Sequence, residues 1–193
     1  MRLQAWLAPV VAWLSERAVH PNLLTAGNVI FSLLAAWLVI NDQLAWAGIV
    51  FLFGSALDML DGMLARLNNQ VTPFGGFLDS TLDRVCEGAI FAAIAWWLAT
   101  QGNTWAVAVL VLAMLGSMLT SYTRARAEAL GLKCNGGWIT RAERVILLCL
   151  GLITHQLVFM AFLLAVLTLW TAGQRIHNVY KHLPSDPQEQ EPI

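Results

Sequence analysis

Long apolar runs separated by short polar segments dominate the pattern along this chain. Runs that could cross a bilayer, alone or with their flanks, occupy residues 23–40, 44–57, 89–99, 104–119 and 145–171. Hydrophobic residues make up 58% of the 193 residues and charged residues only 12%, which lies outside the usage of soluble domains. The pattern predicts an all-α, polytopic membrane protein.

The last apolar run is longer than one crossing requires. As a single helix, residues 140–181 would extend about 63 Å, roughly twice the hydrocarbon thickness. A turn at His155 and Gln156 would divide this segment into two spans. Thr140, followed three residues later by Glu143, forms the pattern of a capping box at the start of the first of them. We therefore expect six transmembrane helices.

The two ends of the chain differ from this pattern. Residues 1–18 place apolar side chains at helical spacing between polar ends, which favours an amphipathic helix in the plane of the membrane interface, with a bend at Pro9. Residues 183–193 are polar and are expected to form a disordered tail. Residues 1–182 are expected to form a single membrane domain.

The positions of the cations predict the orientation. The chain has eleven Lys and Arg residues, and segments 41–43, 100–104 and 154–156 contain none of them. Under the positive-inside rule, both termini, the 67–73 turn and the 121–144 region lie in the cytoplasm. We expect a multi-pass protein of the cell membrane, with the lipid bilayer as its surroundings and no nucleic acid as a partner.

Four carboxylates interrupt the apolar pattern near one membrane surface. Asp58 and Asp61 share one face of the second span, and Asp79 and Asp83 share one face of the third. Because the turn between these antiparallel helices is short, the two pairs can converge. Unpaired carboxylates at this depth would repel one another at a high cost, which divalent cations relieve. The pattern indicates a site for two Mg²⁺ or Mn²⁺ ions that also bind a substrate diphosphate.

Two simpler explanations concern the same acids. They could pair with Arg66 and Arg84, or they could line an ion pathway. Simple pairing would satisfy at most two of the four charges. Gly62 leaves room for a ligand beside the helix backbone, and Arg66 offers a planar fork for phosphate. These residues favour a substrate site.

The spacing D58-x2-D61-G62-x2-A65-R66-x8-G75-x3-D79-x3-D83 resembles the signature of the CDP-alcohol phosphotransferase family at all eight fixed positions. The segment PNLLT at the start of the first span and the six-span architecture are also similar to this family. The resemblance implies an enzyme in which an alcohol attacks a CDP-linked lipid such as CDP-diacylglycerol and CMP is released. It also implies a homodimer.

The resemblance implies roles for individual residues. Asp58, Asp61 and Asp79 would bind the metals, and Asp83 would act as the general base and contact one metal. The CDP group of the donor would be held by Pro21, Asn22, Leu23, Leu24, Gly62, Arg66 and Thr72.

A second polar cluster, residues 120–148, contains five cations and two acids. Such a cluster anchors a protein to anionic lipid or binds an anionic substrate. Its segments SYTRARAE and TRAERVILL resemble the phosphatidylinositol-phosphate synthase branch of the family, together with archaeal-type relatives. That resemblance implies a phosphorylated polyol, inositol phosphate, as the acceptor. The acceptor site would be lined by Ser121, Arg124, Arg126, Arg141 and Arg144.

Two alternatives remain open at this point. A phosphatidylglycerol-phosphate synthase would also need cations for its acceptor, glycerol 3-phosphate. A divalent-cation transporter would use intramembrane carboxylates, but it leaves the spacing of Gly62, Ala65 and Arg66 unexplained. Glu87, one turn beyond Asp83, is expected to pair with a nearby Arg, and Gly116 is expected to permit close helix packing.

Overall fold

The computed structural model describes residues 2–17, 19–132 and 137–183. Within these ranges the chain forms seven α-helices and no strand. They are α1 (Arg2–Glu16), α2 (Pro21–Ile40), α3 (Leu44–Leu67), α4 (Pro73–Thr100), α5 (Thr104–Ala129), α6 (Arg141–Ile153) and α7 (Leu157–His182). The all-α prediction is confirmed, and the tail predicted to be disordered lies outside the described residues except for Leu183.

Local sequence signals set the helix ends. Thr72 caps α4, accepting a hydrogen bond from the backbone N–H of Gly75 at 3.0 Å. At the start of α6, the Glu143 carboxylate accepts from the Thr140 backbone N–H at 2.7 Å, so the predicted capping box is present. The chain reverses between α6 and α7, where His155 has a φ of 58°. The predicted turn is therefore confirmed.

Helices α2 to α7 form a closed ring of neighbours. Helix α2 contacts α3 and α4, α5 contacts α4 and α7, and α6 completes the ring between α7 and α3. One end of the bundle is where α3 and α5 end and α4 and α6 begin. We call it the polar end. At the opposite end, Trp97 Nε1 donates to Asp42 Oδ1 at 2.7 Å. The antiparallel arrangement brings all four motif aspartates toward the polar end.

Close packing between helices depends on glycine at one contact above all. A Cβ placed on Gly116 of α5 would lie 2.1 Å from Thr168 Oγ1 and 2.9 Å from Thr168 Cβ on α7. Only a residue without a side chain permits this separation. The expected role of Gly116 in helix packing is confirmed.

By length and composition, four of the described helices could cross a membrane: α2, α3, α5 and α7. Helix α4 is longer than any of them but carries four charged residues within its first fifteen, and α6 has only 13 residues. Helix α1 packs on α3 through the buried side chain of Val11, while Trp13 is half exposed. The chain is a multi-pass helical protein.

Candidate active site

Three of the motif aspartates form a compact oxygen cluster. Asp58, Asp61 and Asp79 each place one carboxylate oxygen within 4.8 Å of the others. Among the described residues, Asp79 Oδ1 is buried and has no hydrogen-bond partner. A buried, unpartnered carboxylate oxygen is costly unless a cation satisfies it. The donor set is all oxygen and anionic, so these residues fit a hard divalent ion such as Mg²⁺ or Mn²⁺.

Helix α2 orients two of these carboxylates. Thr25 Oγ1 donates to Asp61 Oδ2 at 2.6 Å, and Asn28 Nδ2 donates to Asp58 Oδ1 at 2.9 Å. Ser32 Oγ in turn donates to Asn28 Oδ1 at 3.3 Å, which fixes the direction of the amide. The sequence analysis missed these three residues. Their spacing of three and four within an apolar helix was the available signal, because polar groups at that depth face the protein interior.

Asp83 lies beside the cluster and contacts a cation. Arg141, the first residue of α6, directs Nη1 at Asp58 Oδ2 and Nη2 at Asp83 Oδ1, the latter at 2.6 Å. Arg84 Nη1 is 3.6 Å from Asp83 Oδ2. Simple pairing of the acids was expected to involve Arg66 and Arg84. Among the described residues, Arg141 is the cation in closest contact with the motif aspartates. It bridges one aspartate of each helix.

A cavity of about 470 Å³ opens next to the cluster at the polar end. Five of the residues expected to hold the CDP group line it: Pro21, Asn22, Gly62, Arg66 and Thr72. The two leucines of that set do not line it, since Leu23 is exposed and Leu24 packs beside α1. Asp61 and Asp79, two members of the aspartate cluster, line one wall of it. We call this space the donor cavity.

A second cavity, of about 630 Å³, lies between α4 and α5. It includes Ser121 and Arg124, two of the expected acceptor residues, and also Arg84, which the sequence analysis did not assign to the acceptor. Gly76 lines both cavities, so they adjoin at the start of α4. We call this space the acceptor cavity.

The other expected acceptor residues lie elsewhere. Arg126 is exposed and lines neither cavity, and Arg141 lies in the aspartate cluster. Arg144 is buried and pairs with Glu87, with Nε–Oε1 at 3.0 Å and Nη2–Oε2 at 3.2 Å. The predicted pairing of Glu87 with an arginine is thus confirmed.

The Arg144–Glu87 pair is the centre of a buried polar network. Ser117 Oγ donates to Glu87 Oε1 at 2.6 Å, and Arg144 Nη1 donates to Thr120 Oγ1 at 3.2 Å. Arg175 of α7 donates to the Thr120 carbonyl. Arg144 Nη2 also lies 3.5 Å from Ser121 Oγ, which connects the network to the acceptor cavity. The network links the four helices α4, α5, α6 and α7.

An all-helical bundle, a carboxylate cluster at the wall of the donor cavity and an adjoining second cavity are the features expected of a membrane-embedded, metal-dependent transferase. The family model for CDP-alcohol phosphatidyltransferase matches residues 18–173. The chain belongs to the CDP-alcohol phosphatidyltransferase family, as the motif resemblance predicted. It is a transferase, and the comparisons support this over a cation transporter.

Individual relatives agree with the family. The chain is 37% identical over 180 residues to a phosphatidylinositol phosphate synthase of Mycobacteroides abscessus, covering 89% of this chain and 82% of that protein. It is similar to the crystal structure of Mycobacterium tuberculosis phosphatidylinositol phosphate synthase with CDP-DAG bound, with 31% identity, 96% coverage of each chain and a TM-score of 0.81. The structure of the same enzyme with manganese and citrate gives a TM-score of 0.81 and 31% identity, covering 96% of this chain and 92% of that one.

Proposed function

We propose that this chain transfers a phosphatidyl group from CDP-diacylglycerol to a hydroxyl of inositol phosphate and releases CMP. The observation that carries the proposal is the adjacency of the two cavities at Gly76, with the aspartate cluster at the donor wall and cations around the acceptor space. Two substrates bound there would place their reacting groups beside the same carboxylates. The relatives that bear the name phosphatidylinositol phosphate synthase support the choice of acceptor.

The donor cavity suits a nucleotide diphosphate whose fatty chains remain in the bilayer. Arg66 lines it with a guanidinium, which binds phosphate oxygens through two parallel N–H donors. Its side chain lies over Gly62, where a Cβ would be 3.5 Å from Arg66 Nη1. We infer that Gly62 and Arg66 hold the diphosphate next to Asp61 and Asp79. The CDP-DAG-bound structure of the M. tuberculosis relative supports this donor.

We infer that Asp58, Asp61, Asp79 and Asp83 hold two Mg²⁺ ions, or Mn²⁺. The ions would neutralise charge that develops on the CMP leaving group. Thr25 and Asn28 orient the Asp61 and Asp58 carboxylates for this binding. The structure of the relative with manganese supports the use of a divalent ion.

Asp83 is proposed as the general base. An alcohol is too weakly acidic to attack a diphosphate unaided, so a carboxylate must accept its proton as the new phosphoester bond forms. Asp83 is on the helix that separates the two cavities, and its neighbour Arg84 lines the acceptor cavity. Arg84, Ser121 and Arg124 would bind the phosphate of the acceptor. In the same proposal Arg126, Arg141 and Arg144 contribute positive charge around that space.

The test is CMP release by purified protein with CDP-diacylglycerol, Mg²⁺ and a panel of acceptors. We expect CMP with inositol phosphate, no CMP after EDTA, and a near-complete loss in Asp83→Asn even at saturating Mg²⁺. CMP release with glycerol 3-phosphate but not with inositol phosphate would show that the transfer reaction is correct and that the proposed acceptor is wrong. Normal CMP release by Asp83→Asn would exclude the proposed base.

We further propose that α2 to α7 are six transmembrane spans and that the polar end faces the cytoplasm of the cell, with α1 on the membrane surface. Single cysteines test the orientation, since Cys86 and Cys149 are buried and Cys134 can be replaced by serine. In intact cells a membrane-impermeant maleimide should label Asn103→Cys but label Gln70→Cys only after lysis. The reverse result would contradict the orientation.

We also propose a homodimer, which a monomeric mass of the active enzyme in nanodiscs would exclude.

A further inference from the structure

Both carboxylate oxygens of Asp58 already have partners in this structure. Asn28 Nδ2 donates to Oδ1 at 2.9 Å, and Arg141 Nη1 contacts Oδ2. Asn28 is itself buried and held by Ser32, so it is part of the rigid scaffold. A cation that binds Asp58 therefore competes with Arg141 for the same carboxylate.

Arg141 also contacts the second helix of the site. Its Nη2 lies 2.6 Å from Asp83 Oδ1, so one planar guanidinium joins an aspartate of α3 to an aspartate of α4. A guanidinium and a divalent ion on the same carboxylates repel each other, because both are positive and only a few ångströms would separate them. Each occupant therefore weakens the binding of the other.

Arg141 is able to move, in contrast to its neighbour Arg144. Arg141 is the first residue of α6, and 29% of its side chain is exposed. Arg144, one turn further along the same helix, has a side chain only 4% exposed and is fixed to Glu87. Because part of the Arg141 side chain already reaches solvent, water can hydrate its charge when the guanidinium leaves the aspartates.

We propose that Arg141 is an exchangeable counter-ion of the metal site. It neutralises Asp58 and Asp83 and holds α3 and α4 together before metal binds, and metal binding releases it. The released guanidinium is then available to the phosphate of the acceptor, a last step that rests on the proposed function. The acceptor gains this further cation, in addition to Arg84 and Arg124, only after the metals are in place.

The proposal predicts that removal of Arg141 strengthens metal binding. If the state with Arg141 released is populated about one-tenth of the time, competition weakens the apparent metal affinity about tenfold. Arg141→Ala should then bind Mn²⁺ about tenfold more tightly than the wild type. A residue that merely positioned Asp58 would have the opposite effect, because its loss would disorder a ligand and weaken metal binding.

The experiment measures Mn²⁺ binding by electron paramagnetic resonance and by the shift of the melting temperature, with purified full-length protein and no lipid substrate or acceptor. Arg141→Ala should melt at a lower temperature than the wild type in EDTA and gain more stability from Mn²⁺. Arg84→Ala is the matched control. It removes one positive charge beside Asp83 but makes no contact with Asp58, so its Mn²⁺ affinity should rise much less.

Arg141→Lys covers the case in which the alanine variant does not fold. Lysine keeps the charge but cannot place two N–H donors on two carboxylates at once, so it should bind Mn²⁺ with an affinity between wild type and alanine. Unchanged or weaker Mn²⁺ binding in a folded variant would overturn the proposal. Because no acceptor is present, a failure of the inositol phosphate assay would leave this result standing.

Discussion

Asn28 of α2 and Asp58 of α3 form a buried hydrogen bond, with Asn28 Nδ2 and Asp58 Oδ1 2.9 Å apart. The bond links α2 to the carboxylate cluster on α3 and α4. Since Ser32 donates to the other end of the same amide, the Asn28 N–H donors can point only toward the carboxylate. The position of Asp58 is therefore determined jointly by two helices, and not by the aspartate motif alone.

The first prediction concerns this bond. Asn28→Ala removes the donor and leaves Asp58 Oδ1 without its protein partner, so the carboxylate loses its fixed orientation. We expect Mn²⁺ affinity and CMP release to fall about 10- to 100-fold, the usual range for loss of a group that orients a metal ligand. Titration of purified protein with Mn²⁺ measures the first quantity directly. Ser32→Ala, which removes only the indirect contact, should have a smaller effect, and equal effects of the two variants would contradict the argument.

The second prediction compares two ion pairs of different burial. Arg144 and Glu87 are paired with side chains 4% exposed, whereas Arg124 and Glu128 are paired with side chains 57% and 51% exposed. Glu87→Ala leaves Arg144 buried without its counter-ion, which should lower the free energy of unfolding by about 3–5 kcal/mol. Glu128→Ala should change it by about 0.5 kcal/mol or less. Thermal melts in one detergent provide the comparison, and similar shifts for both variants would show that the buried network is not a stabilising element.

The aspartate motif and the helix pattern were predictable from sequence because each follows from a regular spacing. Asp58, Asp61, Asp79 and Asp83 lie at helical intervals on two consecutive helices, so their convergence follows from the short turn between those helices. The reversal at His155 was predictable from length, since one helix through that segment would be twice the membrane thickness.

The bridging role of Arg141 and the polar face of α2 could not be predicted in the same way. Arg141 is 83 residues from Asp58 in sequence, and only the closed ring of helices, which places α6 beside α3, brings them together. The spacing of Thr25, Asn28 and Ser32 marks a polar face on α2, but nothing in the local sequence names the partners of that face. Burial likewise separates Arg144 from Arg141, although both appear as cations at the start of one helix.

The third prediction concerns the acceptor cavity. Arg124 lines it, and Arg126, two residues along the same helix, does not. Arg124→Ala should raise the KM for inositol phosphate about tenfold, because a hydrogen bond to a charged group contributes about 1.5 kcal/mol, and should leave the KM for CDP-diacylglycerol unchanged. Arg126→Ala is the matched variant: it removes the same charge from a residue that does not line the cavity, so it should raise the acceptor KM much less than Arg124→Ala. A larger effect of Arg126 on the acceptor KM would mean that inositol phosphate binds on the exposed face of α5.

The fourth prediction tests the contact between α5 and α7 that holds the acceptor side of the ring. Gly116→Ala places a methyl group 2.1 Å from Thr168 Oγ1 and 3.2 Å from the Leu169 backbone nitrogen, so the two helices must separate. Overpacking of this kind costs about 1–3 kcal/mol, and we expect a lower melting temperature. Gly173→Ala, on α7 with nothing within 4 Å of the added Cβ, should be neutral or stabilising by up to about 1 kcal/mol.

A second substitution tests which atoms of α7 collide with the methyl group of Gly116→Ala. Thr168→Ala in the Gly116→Ala background removes the nearest atom but keeps the Thr168 Cβ position, 2.9 Å away, and the Leu169 backbone. Rescue of the melting temperature should therefore be partial. Full rescue would mean that only the hydroxyl limits the helix separation, and no rescue would mean that the backbone of α7 sets it. Because Thr120 and Ser121 lie about one turn beyond Gly116 on α5, a loss of stability without a change in acceptor KM would show that the helix contact and the substrate cavity are mechanically independent.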